Sequence, residues 1–182
     1  MRKYKRLGVL LVFLLLLNLT NKSDLIPEVL KNRKPSYNYL SGLSGTNGPL
    51  LAVKIDDTKE AHPQIGITDA DVVYVEQVEG GLTRIAALYN SSFPSKVGPV
   101  RSARISDLEI LKQFDKPGFA YSGANKALLP KIAKKPLVRL GPSLNGSKYS
   151  RDSSRRIPHN LMLDLSSTVK RAKGLGAVKD IG

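Results

Sequence analysis

Apolar residues recur along this chain at two spacings. In PLLAVKID (49–56), Leu51, Val53 and Ile55 alternate with Ala52 and Lys54, as in a strand with two distinct sides. DVVYVEQV (71–78) is β-branched and aromatic, and LTRIAALYN (82–90) follows it; both predict strands. Gly80-Gly81 lies between them and predicts a two-residue hairpin turn with both glycines at positive φ. From 105 the spacing changes. Ile105, Leu108 and Leu111 fall on one helix face, Ser106-x-x-Glu109 reads as a capping box, and Asp115-Lys116-Pro117-Gly118 ends the segment. GFAYSG (118–123) predicts a fourth strand, and NKALLPKIAKK (125–135) a short helix interrupted near Pro130. Residues 141–158, rich in Gly, Ser and Arg, predict a loop. In NLMLDLSSTVKRAKGLG (160–176), Leu161, Leu165, Val169 and Ala172 form one stripe ending at glycine, which predicts an amphipathic helix with Asn160 as its cap. Together these elements predict a mixed α/β (α+β) single domain with an antiparallel hairpin.

The N-terminus departs from this pattern. Arg2, Lys3, Lys5 and Arg6 precede LGVLLVFLLLL (7–17), an unbroken apolar run with no polar face. A basic patch followed by 7–15 apolar residues is the layout of an export signal, and the run is shorter than the ~20 residues that span a bilayer. The following NLTNKSD offers no small-x-small cleavage site. Residues 1–20 are therefore expected to be a signal peptide or signal anchor, residues 21–48 a polar tether, and residues 49–182 the folded domain outside the cytoplasm, anchored to the membrane or secreted.

Charge sharpens this expectation. The chain carries 29 basic and 15 acidic side chains, a net +14, and +10 remains once the four basic residues of the leader are set aside. A strongly basic surface suits polyanions. Behind an export segment, an anionic envelope polymer, a lipid headgroup or an acidic partner protein fits better than nucleic acid. Cysteine is absent, which excludes disulfides, thiolate metal sites and a cysteine nucleophile.

Three polar clusters carry the candidate chemistry. Glu79-Gly80-Gly81-Leu82-Thr83-Arg84 places an acid and a base on either side of a turn, where they could pair across the hairpin. Gly98-Pro99-Val100-Arg101-Ser102-Ala103-Arg104 leads into the predicted helix, whose free N–H groups, with Arg101 and Arg104, would suit phosphate or carboxylate. The third cluster is YSRDSSRRIPHNLM (149–162), with Arg151, Asp152, Arg155, Arg156 and His159. Asp with His permits a hydrolase reading with Ser153 or Ser102 as nucleophile, but no Gly-x-Ser-x-Gly elbow accompanies it. Only His62 and His159 are present, without metal-ligand spacing, so neither metal nor cofactor is expected. Asp56-Asp57, two adjacent acids at a strand end, are expected to face water.

The segments HPQIGITDADVVYVEQVEGGLTRIAALY, VGPVRSARISDLEIL, FAYSGAN and RDSSRRIPHNLM occur in this order. Together they resemble the N-terminal domain of the YerB-like family of bacterial envelope proteins, over residues 38–176. The matching motif positions are Pro63, Gln64, Gly66, Asp71, Tyr74, Glu79, Gly80, Gly81, Thr83, Arg84, Gly98, Pro99, Arg101, Ser102, Arg104, Arg151, Asp152, Arg155, Pro158, His159 and Asn160. The resemblance implies an envelope protein of lipoprotein type whose domain has no assigned activity. This chain departs from the pattern in lacking a lipid-bearing cysteine, in Val75 beside Tyr74, in Ala124 within YSGAN, and in stopping where the family usually continues into a C-terminal domain. Because the motifs are polar, the resemblance favours one pocket formed by the 79–84 turn, the 98–104 turn and the 151–160 loop. Arg84, Arg101, Ser102, Arg104, Arg151 and Arg155 are the expected ligand-binding residues. The expected function is a binding module for an anionic envelope component or a partner's acidic segment. The alternative is a hydrolase or transferase acting on cell-wall material, with Asp152, His159 or Glu79 as acid or base. A carboxylate within hydrogen-bond reach of His159, with His159 facing a cleft lined by Arg101, would favour that alternative; His159 packed only under the last helix would count against it.

Overall fold

A computed structural model describes residues 37–177. Its centre is a five-stranded mixed sheet in the order β2-β3-β1-β4-β5. The strands are β1 (Leu51–Asp56), β2 (Val72–Gln77), β3 (Thr83–Tyr89), β4 (Gly118–Ala120) and β5 (Val138–Arg139). β1 runs antiparallel to β3, and β3 to β2, while β4 and β5 run parallel to β1. β6 (Tyr149–Arg151) and β7 (Leu161–Leu163) form a separate two-stranded ribbon. The helices are α1 (Ile105–Leu111), α2 (Leu129–Ala133), α3 (Pro142–Asn145) and α4 (Leu165–Gly174). The single mixed α/β domain with a β-hairpin is the architecture expected from the sequence. The proposed export segment lies outside the described residues.

β1 is the axis of the molecule, and all six of its residues are buried. Successive side chains point to opposite faces. Leu51, Val53 and Ile55 pack with Ile85, Ala87, Leu163, Leu165 and Ala172, so the ribbon and α4 cover that face. Leu50 and Ala52 pack with Leu88, Leu108, Leu111, Phe119 and Ile132, so α1 and α2 cover the other. Each fully buried Leu or Ile adds about 1.5–3 kcal/mol. This two-sided burial makes β1 the best anchored element.

Several local expectations are corrected. The β2–β3 connection spans five residues rather than two, with Val78 N–H donating to Leu82 O at 2.8 Å. Gly80 and Gly81 do take positive φ, 72° and 71°. The capping box is displaced: Arg104 N–H donates to Asp107 Oδ2 at 2.6 Å, Ser106 donates to Glu76, and Glu109 pairs with Lys112. Ile105 is exposed, so only Leu108 and Leu111 form the buried stripe of α1. Pro130 sits in the first turn of α2, where its missing N–H costs nothing, rather than interrupting it. The predicted helix over 160–176 splits into β7 and α4, because Asp164 accepts from Ser167 N–H and starts the helix four residues later than expected. The predicted loop at 141–158 contains α3 and β6. Residues 37–48, expected within the tether, belong to the domain. Asn38 is buried and donates to Asn90 Oδ1 at 2.7 Å, and Asn90 in turn donates to Gly48 O at 2.5 Å.

Candidate functional site

The parallel strands β1 and β4 pair only over Leu51–Val53 and Gly118–Ala120. Beyond that point the 99–103 segment enters between them. On one side Asp56 N–H donates to Pro99 O and Arg101 N–H to Lys54 O, both at 2.8 Å. On the other, Ser122 N–H donates to Arg101 O at 2.9 Å and Ala103 N–H to Gly123 O at 2.8 Å. Arg101 and Ser102 are therefore held at the carboxyl ends of two parallel strands, where the sheet changes from antiparallel to parallel neighbours. In open α/β sheets, ligand crevices form outside the carboxyl ends of the parallel strands.

Asp56, at the end of β1, is fully buried and organises the site. Its Oδ2 lies 2.9 Å from Arg101 Nε and 2.8 Å from His159 Nδ1. Thr58 Oγ1 approaches the same ring nitrogen at 3.0 Å. The expectation that Asp56 faces water is overturned: the strand end is roofed by Arg101 and the 152–160 loop. The neighbouring Asp57 does reach the surface side, accepting from Thr83 Oγ1 at 2.5 Å and Gln64 Nε2 at 2.9 Å.

The arginines divide into two groups. Arg84, Arg101 and Arg104 are neighbours. Burial, and then the charges of Arg104 and Arg101, push the Arg84 guanidinium below its ordinary value, while Asp56 and Glu79 oppose this. Arg84 Nη1 donates to Ser102 O at 3.1 Å, and Arg104 Nε to Glu79 Oε2 at 2.8 Å. Glu79 thus pairs with Arg104 rather than across its own hairpin. Its backbone hydrogen bond and Arg104 hold its carboxyl below the usual range. Arg155 belongs elsewhere, its Nη1 and Nη2 donating to Ala61 O at 2.8 Å and Pro63 O at 2.7 Å, so it clamps the 61–63 loop. Arg151 Nη1 donates to Asn160 Oδ1 at 2.6 Å, which uses Asn160 as a brace rather than as a helix cap.

Two cavities, not one pocket, result. The first, about 310 Å³, is lined by Val100, Arg101, Ser122, Pro142, Arg151, Pro158 and Leu161. It has two guanidinium groups and no carboxylate among its walls. Ser102 stands at its edge, its hydroxyl 3.4 Å from that of Ser122. The second, about 280 Å³, is lined by Glu79, Arg104, Ile105 and Lys131 among others. The start of α1 between them is closed by Asp107, so it presents no open anion site. Asp152 is separate from both His159 and Arg101. It binds Ser154, Lys96 and Arg155, and these hydroxyl, backbone and lysine contacts draw its carboxyl down to about 2. The carboxylate beside His159 is Asp56, not Asp152.

A buried ionic triad lies outside the clusters expected from the sequence. Lys54 Nζ, with no exposure, lies 2.5 Å from Glu76 Oε1 and 2.9 Å from Asp107 Oδ1. Burial raises Asp107 to about 6, with Lys54 opposing and Glu76 reinforcing the shift. A lysine inside an otherwise apolar strand repeat was the one available signal.

Residues 40–178 match the model of the N-terminal domain of DUF3048, a protein family of unknown function. The chain belongs to the DUF3048 family. It is 31% identical over 169 residues to the Bacillus subtilis (strain 168) protein named "Putative lipoprotein YerB", covering 91% of this chain and 50% of that protein. The crystal structure of Bacillus subtilis YerB matches with a TM-score of 0.69 and 28% identity, over 77% of this chain and 50% of that one. The DUF3048 domain described here thus spans about half the length of the relatives it matches.

Proposed function

We propose that this DUF3048 domain is an envelope-located binding module that receives an anionic group in the Arg101–Arg151 cavity. The observation that carries the reading is the state of Arg101. Its Nε is paired by charge with the buried Asp56 carboxylate at 2.9 Å, while its guanidinium makes no hydrogen bond among the described residues and lines the same cavity as Arg151. A guanidinium fixed at one edge presents its remaining N–H groups as a preorganised fork for carboxylate or phosphate. The wider arginine cluster is a different matter. Lys54, Arg84, Arg101 and Arg104 are balanced by Asp56, Glu76, Glu79 and Asp107, so its charge is spent internally. Cavity size does not discriminate either, since a cavity of about 320 Å³ lies beside Lys116, Arg139 and Arg171. What supports the Arg101 cavity is fixation by a buried counter-charge at the carboxyl ends of β1 and β4.

The envelope location rests on the lipoprotein name of the relative and on the basic-apolar N-terminus. The ligand class is an anionic wall polymer, with a lipid headgroup or an acidic protein segment as competing outcomes. The test is retention of the full chain on immobilised anionic wall polymer, against anionic vesicles and an acidic peptide. Arg151→Ala should weaken polymer binding about tenfold or more, given ~1.5–3 kcal/mol for a charge-assisted contact, while Lys134→Ala should bind as the parent does. Equal retention of Arg151→Ala and parent would sink the reading.

A further inference from the structure

The Asp56–His159 pair has an arrangement that binding alone does not require. Asp56 is buried and held by Arg101, so it presents a fixed acceptor to His159 Nδ1 at 2.8 Å. A carboxylate on Nδ1 selects the tautomer that carries its proton there and leaves a lone pair on Nε2. His159 Nε2 makes no hydrogen bond among the described residues, and the side chain is 17% exposed. Both His159 Nδ1 and Arg101 Nε approach the same oxygen of Asp56, so the imidazole and the guanidinium are necessarily neighbours. Pro158 and Leu161, on either side of His159-Asn160, line the same cavity as Arg101. A carboxylate, an oriented imidazole with a free far nitrogen and an adjacent oxyanion donor are the parts of general-base catalysis.

We infer that His159 is the general base of a hydrolytic site, with Asp56 as its positioning residue, acting on a carboxylic ester that carries an anionic group. This rests on the anion-cavity reading above. No side-chain hydroxyl meets Nε2 among the described residues, and Thr58 is on the wrong ring nitrogen, so water is the nucleophile. Water attacks the ester carbonyl carbon. The new O–C bond forms as one water proton passes to Nε2 and the carbonyl electron pair moves onto oxygen beside Arg101. The intermediate then collapses. The C–O bond to the alcohol breaks, and the alcohol leaves with the proton from Nε2, giving an acid and an alcohol. Arg151, across the cavity, takes the anionic group of the substrate. A single developing oxyanion suits one guanidinium, whereas a transferring phosphoryl group spreads charge over three oxygens.

The full chain is assayed with the anionic p-nitrophenyl hemisuccinate, the neutral p-nitrophenyl acetate and p-nitrophenyl phosphate, with succinate binding followed in parallel by NMR. The hemisuccinate should be cleaved fastest. His159→Gln should lower kcat/KM by about 10²–10⁴-fold while remaining folded by thermal melt. Asp56→Asn should lower it as well and displace the pH profile, which loss of a merely structural contact would not do. Arg151→Ala should erase the preference for the hemisuccinate, and Lys134→Ala should change nothing. Turnover by His159→Gln equal to the parent on every probe, including no turnover by either, overturns the inference. His159-dependent turnover of the phosphate alone overturns the ester assignment. If Arg151-dependent succinate binding persists while turnover is independent of His159, the acid–base inference alone fails; if succinate does not bind, the anion-cavity reading falls as well.

Discussion

Lys54, Asp56 and Asp107 show how far burial changes what a charged residue does. Lys54 sits between two carboxylates with no access to water. Removing one member of such a network leaves an uncompensated buried charge, so Lys54→Met should cost about 3–5 kcal/mol in denaturant-unfolding experiments. A near-normal midpoint would mean that Glu76 and Asp107 relax into water. Asp107 also sets a pH dependence. Its folded value is raised to about 6 from an ordinary 3.8, so the folded state holds more protons than the unfolded chain between these values. Its contribution to stability is therefore fully present below pH ~4 and is lost as pH rises through ~6. Over this window the melting temperature of the parent should fall relative to that of Asp107→Asn, and parallel curves would place the titration elsewhere. Arg101 is bound up with burial as well, since it faces fully buried Asp56. Arg101→Ala therefore confounds binding with stability, and Arg151→Ala, read beside a thermal melt because Arg151 also braces buried Asn160, is the cleaner test.

At the scale of elements, two glycines separate conformational cost from steric cost. Gly81 has φ 71° and nothing within 4 Å of a built Cβ, whereas Gly66 has φ 73° and would place that Cβ 2.6 Å from Lys96 O. Gly81→Val should therefore lower stability by about 1 kcal/mol through backbone strain alone. Gly66→Ala should cost distinctly more, because a main-chain atom must move. Melting temperatures compare the two directly, and the reverse order would mean that the 65–66 segment yields more easily than its contacts with 97–98 imply. Those contacts matter to the site. Ile65 and Gly98 exchange main-chain hydrogen bonds at 2.8 and 3.0 Å, Val97 pairs with Leu163, and Val100 N–H donates to Leu161 O at 2.6 Å. The 97–101 segment thus ties the ribbon to β1 and sets where Arg101 and the 158–161 wall meet.

For the whole molecule, the two-sided burial of β1 and the split between β1 and β4 produce the Arg101 crevice at the carboxyl ends of these strands. The basic-apolar N-terminus predicts delivery of that crevice to the far side of the membrane. A reporter fused at Gly182 should be active outside the cytoplasm, and N-terminal sequencing would separate a cleaved signal from an anchor; activity confined to the cytoplasm would remove the envelope reading. With +10 on residues 21–182, binding to a polyanion should weaken as salt shortens the ~8–10 Å Debye length of ordinary buffers. Retention unchanged between low and high salt would point to apolar contact instead.

The strands β1, β2 and β3 were legible because alternating and β-branched residues report a local property, the two faces of an extended chain. The positive φ of Gly80 and Gly81 was legible for the same reason, since a tight reversal has few residue choices. The arginine clusters were legible as polar motifs at element ends. The amino-acid sequence by itself determined the mixed α/β class, the main hairpin, the basic character and the polar segments that build the crevice. Only the tertiary structure decided the partners. It set Asp56 rather than Asp152 beside His159, Arg104 rather than Arg84 on Glu79, Arg155 on the 61–63 loop, and Lys54 inside the core. Each of these pairings joins residues 25 to 103 positions apart in the chain or depends on which face of β1 is covered. Periodicity reports which residues share a side of one element, but the partner that meets that side is chosen by how the elements pack.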